Sequence, residues 1–275
     1  MSKRFHLLTI EEVLALPDPE WIVDRIFPAS SLAQLYGEPA VGKSFLALSL
    51  GLSVASGVPW LGSYEVARGP VVYFAGEGHT GMKARISSWL EQHEVGAQEV
   101  ECFRLIGEPL PLGNMTDVDA LIAQLRETFG NTRIALVVLD TLARCTEGLD
   151  ENSAKEMGLA VAAAEKLKRA TGATVLLVHH TGYEASHARG STSVRAALDT
   201  QAKLSGSRGT LTLVCEKQKD AEEFEAIPVA LLEVLESLVA VGEGTGSPVR
   251  LRIARQALPE SQRTALEALE SHPQG

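Results

Sequence analysis

The stretch "GEPAVGKS" at residues 37–44 constrains the fold of this 275-residue chain more than any other feature. It has the form G-x-x-x-x-G-K-[S/T] and lies between a strand-like run and a helix-like run, which is the context that a phosphate-binding loop requires. In such a loop, glycines let backbone amides converge on phosphate oxygens, while Lys43 supplies a cation and Ser44 a hydroxyl for Mg²⁺. A glycine-rich turn without a ligand is the alternative, but the full motif in this context predicts a nucleotide site. The expected nucleotide-binding residues are Gly37, Glu38, Pro39, Ala40, Val41, Gly42, Lys43, Ser44 and Phe45.

Beyond the loop, short β-branched runs alternate with amphipathic helical patterns, which indicates an α/β fold with a mainly parallel, twisted sheet flanked by helices. The predicted strands are 31–37, 70–76, 101–107, 134–140 and 173–179, and the predicted helices are 43–56, 79–93, 117–129 and 154–170. After residue 197 the helices stop, and three further strand patterns predict an antiparallel C-terminal extension of the same sheet, at 198–206, 209–217 and 225–234.

These patterns divide the chain into three parts. Residues 1–30 form an N-terminal segment that we expect to pack on the core or on a neighbouring subunit. We expect residues 31–240 to form one domain around the predicted nucleotide site, since this length suits a single α/β core. Residues 241–275 begin with the loop-like "GEGTGSP" and continue as a linker and C-terminal helix, which suits either a hinge to another module or a peripheral helix.

Composition narrows the possible partners and compartments. A net charge of −10 disfavours coating of nucleic acid or of an anionic membrane by bulk electrostatics, so any DNA contact must be local. The three cysteines are far apart and form no CxxC pair, which argues against a disulfide framework or a zinc site. No apolar run approaches the roughly 20 residues of a membrane span, and the first 20 residues are too acidic for a signal peptide. We therefore expect a cytoplasmic protein with no membrane partner.

Two carboxylates end buried-strand patterns and are candidates for chemistry on the bound nucleotide. Asp140 closes "ALVVLD", where a second metal ligand beside Ser44 belongs, and an acid there is costly unless it has a partner. Glu77 follows "VVYFAG" and is placed to orient or deprotonate the water that attacks the γ-phosphate. The plain alternatives are a structural cap for Asp140 and an N-cap or solvent-facing side chain for Glu77.

The pair His179 and His180 ends the next strand along the chain. Neighbouring residues on a strand point to opposite faces, so the two side chains cannot readily bind one metal ion together. A donor at this strand end could instead sense the γ-phosphate, and we expect one of the two to do so, with a slight preference for His180. A structural histidine satisfied by hydrogen bonds is the alternative for each.

Together, "GEPAVGKS", "VVYFAGEG", "LVVLDTLAR", "VLLVHHTG" and "RGSTSVRAALDTQAKLSG" resemble the RecA-like AAA ATPases typified by the RepA-type hexameric replicative helicases of plasmids and phages. The resemblance covers roughly residues 20–235. It implies a RecA-like P-loop NTPase core, a homo-oligomeric ring that is usually hexameric, ATP at the subunit interfaces, and 5′-to-3′ movement on single-stranded DNA. It also implies catalytic roles for Lys43, Glu77 and His180, and metal-binding roles for Ser44 and Asp140.

The chain departs from this family at the residue that would reach across the subunit interface. An alignment from the "RGS" segment places Asp199 where the family has a finger arginine. The substitutes are "CEKQKD", whose lysines resemble the Lys-x-Arg pair of the larger bacterial replicative helicases, and two arginines near the "RGS" segment. The candidates for the trans-acting finger are therefore Lys217, Lys219, Arg189 and Arg195, and solvated strand-end lysines are the alternative.

In related rings, the loops after the Asp140 and His179 strands face DNA. The first, residues 143–152, is acidic and poorly suited to phosphate. The second, residues 181–195, carries His187, Arg189 and Arg195 among Gly and Ser, and we expect a mobile loop that grips the DNA backbone. A surface connection without function is the alternative, since few aromatic residues accompany these charges.

These observations favour ATP and Mg²⁺ as cofactors and single-stranded DNA as partner. The function that we expect is Mg²⁺-dependent ATP hydrolysis that drives a ring-shaped DNA helicase or translocase in replication or repair. Two alternatives stay open: a RecA-like ATPase switch regulated by DNA or a partner, without unwinding, and a P-loop small-molecule kinase.

Overall fold

Strands and helices alternate along the chain, and they assemble into one large sheet with helices on both faces. The computed structural model describes residues 7–181, 192–207 and 210–242. In these ranges the strands are β1 (Trp21–Val23), β2 (Phe27–Pro28), β3 (Leu32–Gly37), β4 (Val71–Ala75), β5 (Phe103–Ile106), β6 (Leu136–Asp140), β7 (Thr174–His180), β8 (Thr200–Ser207), β9 (Thr210–Gln218), β10 (Ile227–Val234) and β11 (Ser237–Gly242). The helices are α1 (Ile10–Leu14), α2 (Lys43–Ser56), α3 (Met82–His93), α4 (Met115–Phe129), α5 (Leu142–Cys145), α6 (Ala154–Thr171) and α7 (Thr192–Ala197), with 3₁₀ turns at His79–Gly81 and Ala97–Val100.

The large sheet has nine strands in the order β11-β10-β9-β8-β3-β7-β6-β4-β5. From β8 to β5 every neighbouring pair is parallel, and from β8 to β11 every pair is antiparallel. This confirms the predicted mixed α/β fold with a mainly parallel sheet and an antiparallel C-terminal extension. Strand β7 lies between β3 and β6, so the strand that ends in the two histidines is next to the strand that leads into the phosphate loop.

Alternation along the strands creates one apolar core on each face of the sheet. On one face, side chains such as Leu35, Val138 and Val178 pack with α2, α3 and the β1–β2 segment. On the other, side chains such as Val137 and Leu177 pack with α4, α6 and α7. The buried strands are apolar on both faces, which is why their sequences are nearly continuous hydrophobic runs.

The helix ends follow local sequence signals. Ser153 caps α6 by accepting a hydrogen bond from the Glu156 amide, and Gly172 ends that helix in the left-handed conformation with φ +71°. The Glu156 carboxylate does not return a hydrogen bond to the Ser153 amide, and accepts instead from the Asp150 amide at 2.7 Å.

Several short elements differ from the sequence expectation. Helix α5 overlaps the start of the segment 143–152 that we expected to be a loop. Helix α7 occupies residues 192–197, and β1, β2 and β11 were not predicted. Elements this short have little intrinsic stability and depend on tertiary contacts. In β11, for example, Val239 and Ala240 are buried in the core, and the Ala240 carbonyl accepts a hydrogen bond from Ser49 on α2.

The N-terminal segment differs in burial along its length. Ile22, Val23, Ile26 and Phe27 belong to the apolar core, whereas every residue of α1 is exposed. Residues 1–6 and 243–275 lie outside the described residues. The expected linker and C-terminal helix, residues 241–275, therefore fall almost wholly outside them. No helix within the described ranges is both long and apolar enough to cross a bilayer.

Candidate functional site

The loop between β3 and α2 has the backbone conformations that its glycines allow. Gly42 has φ +111° and is the N-cap of α2, and a Cβ atom there would lie 2.8 Å from Leu231 Cδ1 of β10. A Cβ atom on Gly37 would lie 2.2 Å from the Leu204 carbonyl oxygen of β8. Gly37 is therefore needed for the close approach of β8, and Gly42 for the left-handed conformation at the start of α2. The loop ends at the N-terminus of a 14-residue helix, which favours anions.

Lys43 is the cation at the centre of this loop. Its side chain is 4% exposed, and its ammonium group donates to the carbonyl oxygens of Gly37 at 3.0 Å and Glu38 at 2.7 Å. Burial lowers the pKa of Lys43 to about 8, and the charges of Asp140 and Glu77 oppose that shift. A desolvated cation between loop amides and a helix N-terminus is suited to bind phosphate.

Asp140 ends β6 and is 3% exposed. Its Oδ1 accepts a hydrogen bond from Ser44 Oγ at 3.1 Å, and its Oδ2 accepts one from the Tyr73 hydroxyl at 2.6 Å. Burial raises the pKa of Asp140, while these two hydrogen bonds oppose the rise. Ser44 and Asp140 thus present adjacent oxygen ligands next to the phosphate loop, a donor set that fits Mg²⁺.

The sequence argument did not identify Tyr73. The available signal was its place inside the buried strand "VVYFA", because a tyrosine hydroxyl within a core strand needs a hydrogen-bond partner. Strand register then makes Asp140 the nearest candidate, since Ala75 of β4 is directly opposite Asp140 of β6.

Glu77 lies just after β4, and its side chain is 47% exposed. Its Oε1 is 3.3 Å from Arg144 Nε of α5 and accepts from Thr141 Oγ1 at 3.4 Å. The Gly76 amide donates to the Asp140 carbonyl oxygen at 2.7 Å, which holds the Glu77 segment against the end of β6. The ion pair with Arg144 was not anticipated, because only the fold brings these residues together.

The two histidines occupy opposite faces at the end of β7. His180 Nδ1 lies 3.2 Å from Lys43 Nζ, on the α2 face. His179 is 3% exposed and follows the same alternation as Leu177, on the other face. Among the described residues, no group of three or more His, Cys, Asp or Glu side chains is arranged to hold a metal ion.

The finger candidates among the described residues, Lys217, Lys219 and Arg195, lie at the other end of the sheet. The carboxyl edge is defined here as the end of the parallel strands that carries Gly37 and Asp140, and the amino edge as the opposite end. Lys217 on β9 pairs with Gln201, and its ammonium donates to the carbonyl oxygens of Arg195 at 2.9 Å and Ala196 at 3.3 Å. By strand register, Lys217 is about 10 Å from the level of Gly37 along the strands.

Lys219 is further still from the phosphate loop. Its amide donates to the Asp199 carbonyl oxygen, and its ammonium lies 3.6 Å from the Asp199 carboxylate. Asp199 itself accepts from the Leu32 amide at 2.9 Å, at the start of β3. The residue that replaces the family's arginine therefore joins β8 to the phosphate-loop strand at the amino edge.

Of the DNA-contact candidates, only Arg195 is among the described residues. It lies on α7, so the expectation of a loop through residue 195 is wrong for residues 192–195, because α7 packs on α6 and buries Val194. His187 and Arg189 lie outside the described residues. In the segment 143–152, Glu147 and Asp150 are exposed. Arg144 is the basic residue of α5.

The phosphate loop, the buried lysine and the serine–aspartate pair define a P-loop nucleotide-binding domain on a mainly parallel sheet. The family model described as the AAA domain matches residues 2–186, more than half of the chain. The chain belongs to this family, and it is an AAA-type P-loop ATPase with a RecA-like fold.

Proposed function

We propose that this ATPase assembles into a ring of identical subunits and uses Mg²⁺-dependent ATP hydrolysis to move along single-stranded DNA. The observation that supports this proposal most is the separation of charges between the two edges of the sheet. The phosphate loop and its acids are at the carboxyl edge, while Lys217, Lys219 and Arg195 are at the amino edge, where the two lysines contact a helix end and Asp199 instead of the phosphate loop.

At the carboxyl edge, each residue has a role that its contacts favour. Lys43 and the first turn of α2 bind the β- and γ-phosphates. Ser44 and Asp140 would hold Mg²⁺, directly or through water, and the bound ion would supply positive charge beside the transferred phosphoryl group. Glu77, half exposed at the end of β4, orients the attacking water and accepts its proton.

His180 couples the nucleotide to the segment that follows it. Its ring contacts Lys43, and the next residue, Thr181, donates from its amide to the Gly37 carbonyl oxygen at 3.0 Å. A change at the γ-phosphate could therefore alter the position of Thr181, the first residue of the 181–195 segment. Ordering and release of such a segment is a common way for nucleotides to control a remote contact.

At the amino edge, the lysines would serve the nucleotide of a neighbouring subunit. A cation that crosses the interface stabilises charge in the transition state of phosphoryl transfer. Lys219 is the more available of the two, because its side chain is 60% exposed, whereas Lys217 is committed to carbonyl oxygens at the end of α7. A closed ring places such a residue at every nucleotide site.

A second candidate is an ATPase switch that responds to DNA or to a protein without separating strands. The acidic character of the segment after β6 favours it, since Glu147, Asp150 and Glu151 repel phosphate. In this case nucleotide binding changes the state of the protein, and hydrolysis resets it.

The test is steady-state ATP hydrolysis with and without single-stranded DNA, with the mass of the protein in solution measured in the same buffer. A ring-sized mass, strong stimulation and strand separation on a forked duplex support the motor. Stimulation without strand separation identifies the switch. A monomeric protein whose hydrolysis ignores DNA contradicts the motor and also a switch that responds to DNA. The variant Lys43→Ala, measured beside the wild type, shows how much hydrolysis belongs to this site.

A further inference from the structure

We propose that Tyr73 is a positioning residue for the metal site: its hydroxyl fixes the Asp140 carboxylate so that Oδ1 stays directed at Ser44 and the ion. This inference rests on the proposed Mg²⁺-dependent ATPase function and concerns a residue that has no contact with nucleotide in that proposal.

The register of the sheet brings the two side chains together. Ala75 of β4 is opposite Asp140 of β6, and Tyr73 is opposite Val138, two residues earlier. Tyr73 and Asp140 are therefore diagonal neighbours on one face of adjacent parallel strands, a separation that a long aromatic side chain can span. The hydroxyl ends 2.6 Å from Asp140 Oδ2.

The two carboxylate oxygens then have different partners. Oδ2 accepts from Tyr73 and Oδ1 from Ser44, so rotation of the carboxylate would break both hydrogen bonds. The Tyr73 hydroxyl also lies 3.5 Å from the Ser44 carbonyl oxygen, between β6 and the first turn of α2. Because Asp140 is buried, a lost hydrogen bond there is not replaced by bulk water.

The ring of Tyr73 is itself held in place. It packs against Phe103 of β5, with the ring centroids 6.2 Å apart. A Cβ atom on Gly51 of α2 would lie 3.7 Å from Tyr73 Cδ2, so the helix approaches the ring closely where it has no side chain. Packing on both sides fixes the direction of the hydroxyl, which is what a group that orients a metal ligand requires.

The experiment compares Tyr73→Phe with Tyr36→Phe. Tyr36 is a second fully buried tyrosine, on the phosphate-loop strand, whose hydroxyl donates to a different carboxylate, that of Glu216. The variant Tyr36→Phe removes a hydroxyl group on the face of the sheet opposite α2. It therefore controls for the loss of a tyrosine hydroxyl alone. The probe is a fluorescent ADP analogue, whose affinity is measured in EDTA and during a Mg²⁺ titration, and no hydrolysis is needed.

We expect Tyr73→Phe to bind the probe in EDTA within about twofold of the wild type and to require about tenfold more Mg²⁺ for half of the Mg²⁺-dependent gain. Tyr36→Phe should match the wild type in both. In the Asp140→Asn background, Tyr73→Phe should cause no further loss of the Mg²⁺-dependent gain, because the carboxylate that Tyr73 orients toward the ion is gone.

An unchanged Mg²⁺ midpoint in Tyr73→Phe overturns the inference, and so does an equal loss of affinity with and without Mg²⁺. A further loss in the Asp140→Asn background also overturns it, because Tyr73 would then act through another group. A wild-type protein whose affinity ignores Mg²⁺ contradicts the proposed function itself, so the two failures are distinguishable. Thermal unfolding of each variant shows whether it keeps its fold. If Tyr73→Phe is destabilised, the comparison of Asp140→Asn with and without Tyr73→Phe decides whether Tyr73 acts through Asp140.

Discussion

Both edges of the parallel sheet carry charged residues, but these residues are organised differently. At the carboxyl edge, Lys43, Asp140 and His180 converge within hydrogen-bonding distance of one another or of the phosphate loop. At the amino edge, Lys217 and Lys219 contact a helix end and Asp199, and none of these residues approaches the loop. The carboxyl-edge residues are therefore placed to serve a nucleotide on their own chain, whereas the amino-edge residues could serve one only across a subunit interface, as we propose.

The largest effect should come from Lys43→Ala. Removal of the buried cation leaves loop amides alone to neutralise the phosphates, so we expect hydrolysis to fall by about 10³-fold with little change in folding. Steady-state phosphate release measures this. Lys166→Ala, which removes an exposed lysine paired with Asp119, is the control and should behave as the wild type. A Lys43→Ala protein with a tenth or more of normal turnover would contradict the assignment.

Glu77→Gln should separate binding from turnover at the same edge. The amide keeps the size of the side chain but cannot accept a proton, so we expect ATP affinity within about twofold of normal and turnover lower by about 10²- to 10⁴-fold. Equilibrium binding and single-turnover hydrolysis measure the two quantities. Glu147→Gln, on the segment after β6, is the matched control. Normal turnover in Glu77→Gln would refute its role as the base.

Lys217→Ala and Lys219→Ala test the amino edge. If either lysine acts in trans, its removal should lower hydrolysis by about 10- to 10³-fold while ATP binding is kept. The decisive measurement mixes the affected variant with Lys43→Ala, each inactive alone. Mixed rings contain sites with an intact phosphate loop on one subunit and an intact lysine on the next, so activity should reappear.

The mixing experiment has a clear negative result. If both lysine variants hydrolyse ATP normally, the lysines are solvated or structural and the two edges are functionally independent. If a variant is inactive and mixing restores nothing, the lysine is needed within its own chain. Lys217→Ala also removes hydrogen bonds at the end of α7, so thermal unfolding must accompany its activity data.

The contrast between the edges also explains what the sequence could predict. The phosphate loop is a local motif whose strand, turn and helix follow one another in the chain, and Asp140 and Glu77 each end a strand whose apolar pattern is unmistakable. The parallel sheet then brings such strand ends together at one edge. These features were accessible because they need only local pattern and one topological rule.

The remaining features depend on contacts between distant segments. Tyr73 reaches Asp140, and Arg144 reaches Glu77, only because β4 and β6 are neighbours in the folded sheet. Helices α5 and α7 have four and six residues, too few for a periodic signal. The position of Lys217 at the amino edge follows from the antiparallel return of β9, which the motif resemblance alone does not supply.

The smallest expected effect concerns His93, at the last residue of α3. Since α3 connects β4 to the parallel strand β5, it returns the chain to the amino edge, and His93 stacks on Trp89 with ring centroids 4.3 Å apart. Burial lowers the pKa of His93 to about 4 from its usual 6.5. The unfolded chain therefore binds this proton between about pH 6.5 and 4 and the folded chain does not. The free energy of unfolding is therefore not reduced by His93 above pH 6.5, and it falls as the pH decreases toward 4.

The variant His93→Phe keeps the aromatic contact and removes the titration. Within the described residues, His93 Nε2 is buried without a hydrogen-bond partner, so phenylalanine should preserve or slightly raise stability at pH 7.5. Between pH 7.5 and 5 the wild type should lose about 1–2 kcal/mol more unfolding free energy than the variant. The measurement is the difference in thermal unfolding midpoint at each pH. Because His93 is at the amino edge, affinity for the ADP analogue should respond equally to pH in both proteins. A pH response of affinity that differs between them would show that the two edges are coupled within one subunit, and the separation on which the trans argument depends would then be incomplete.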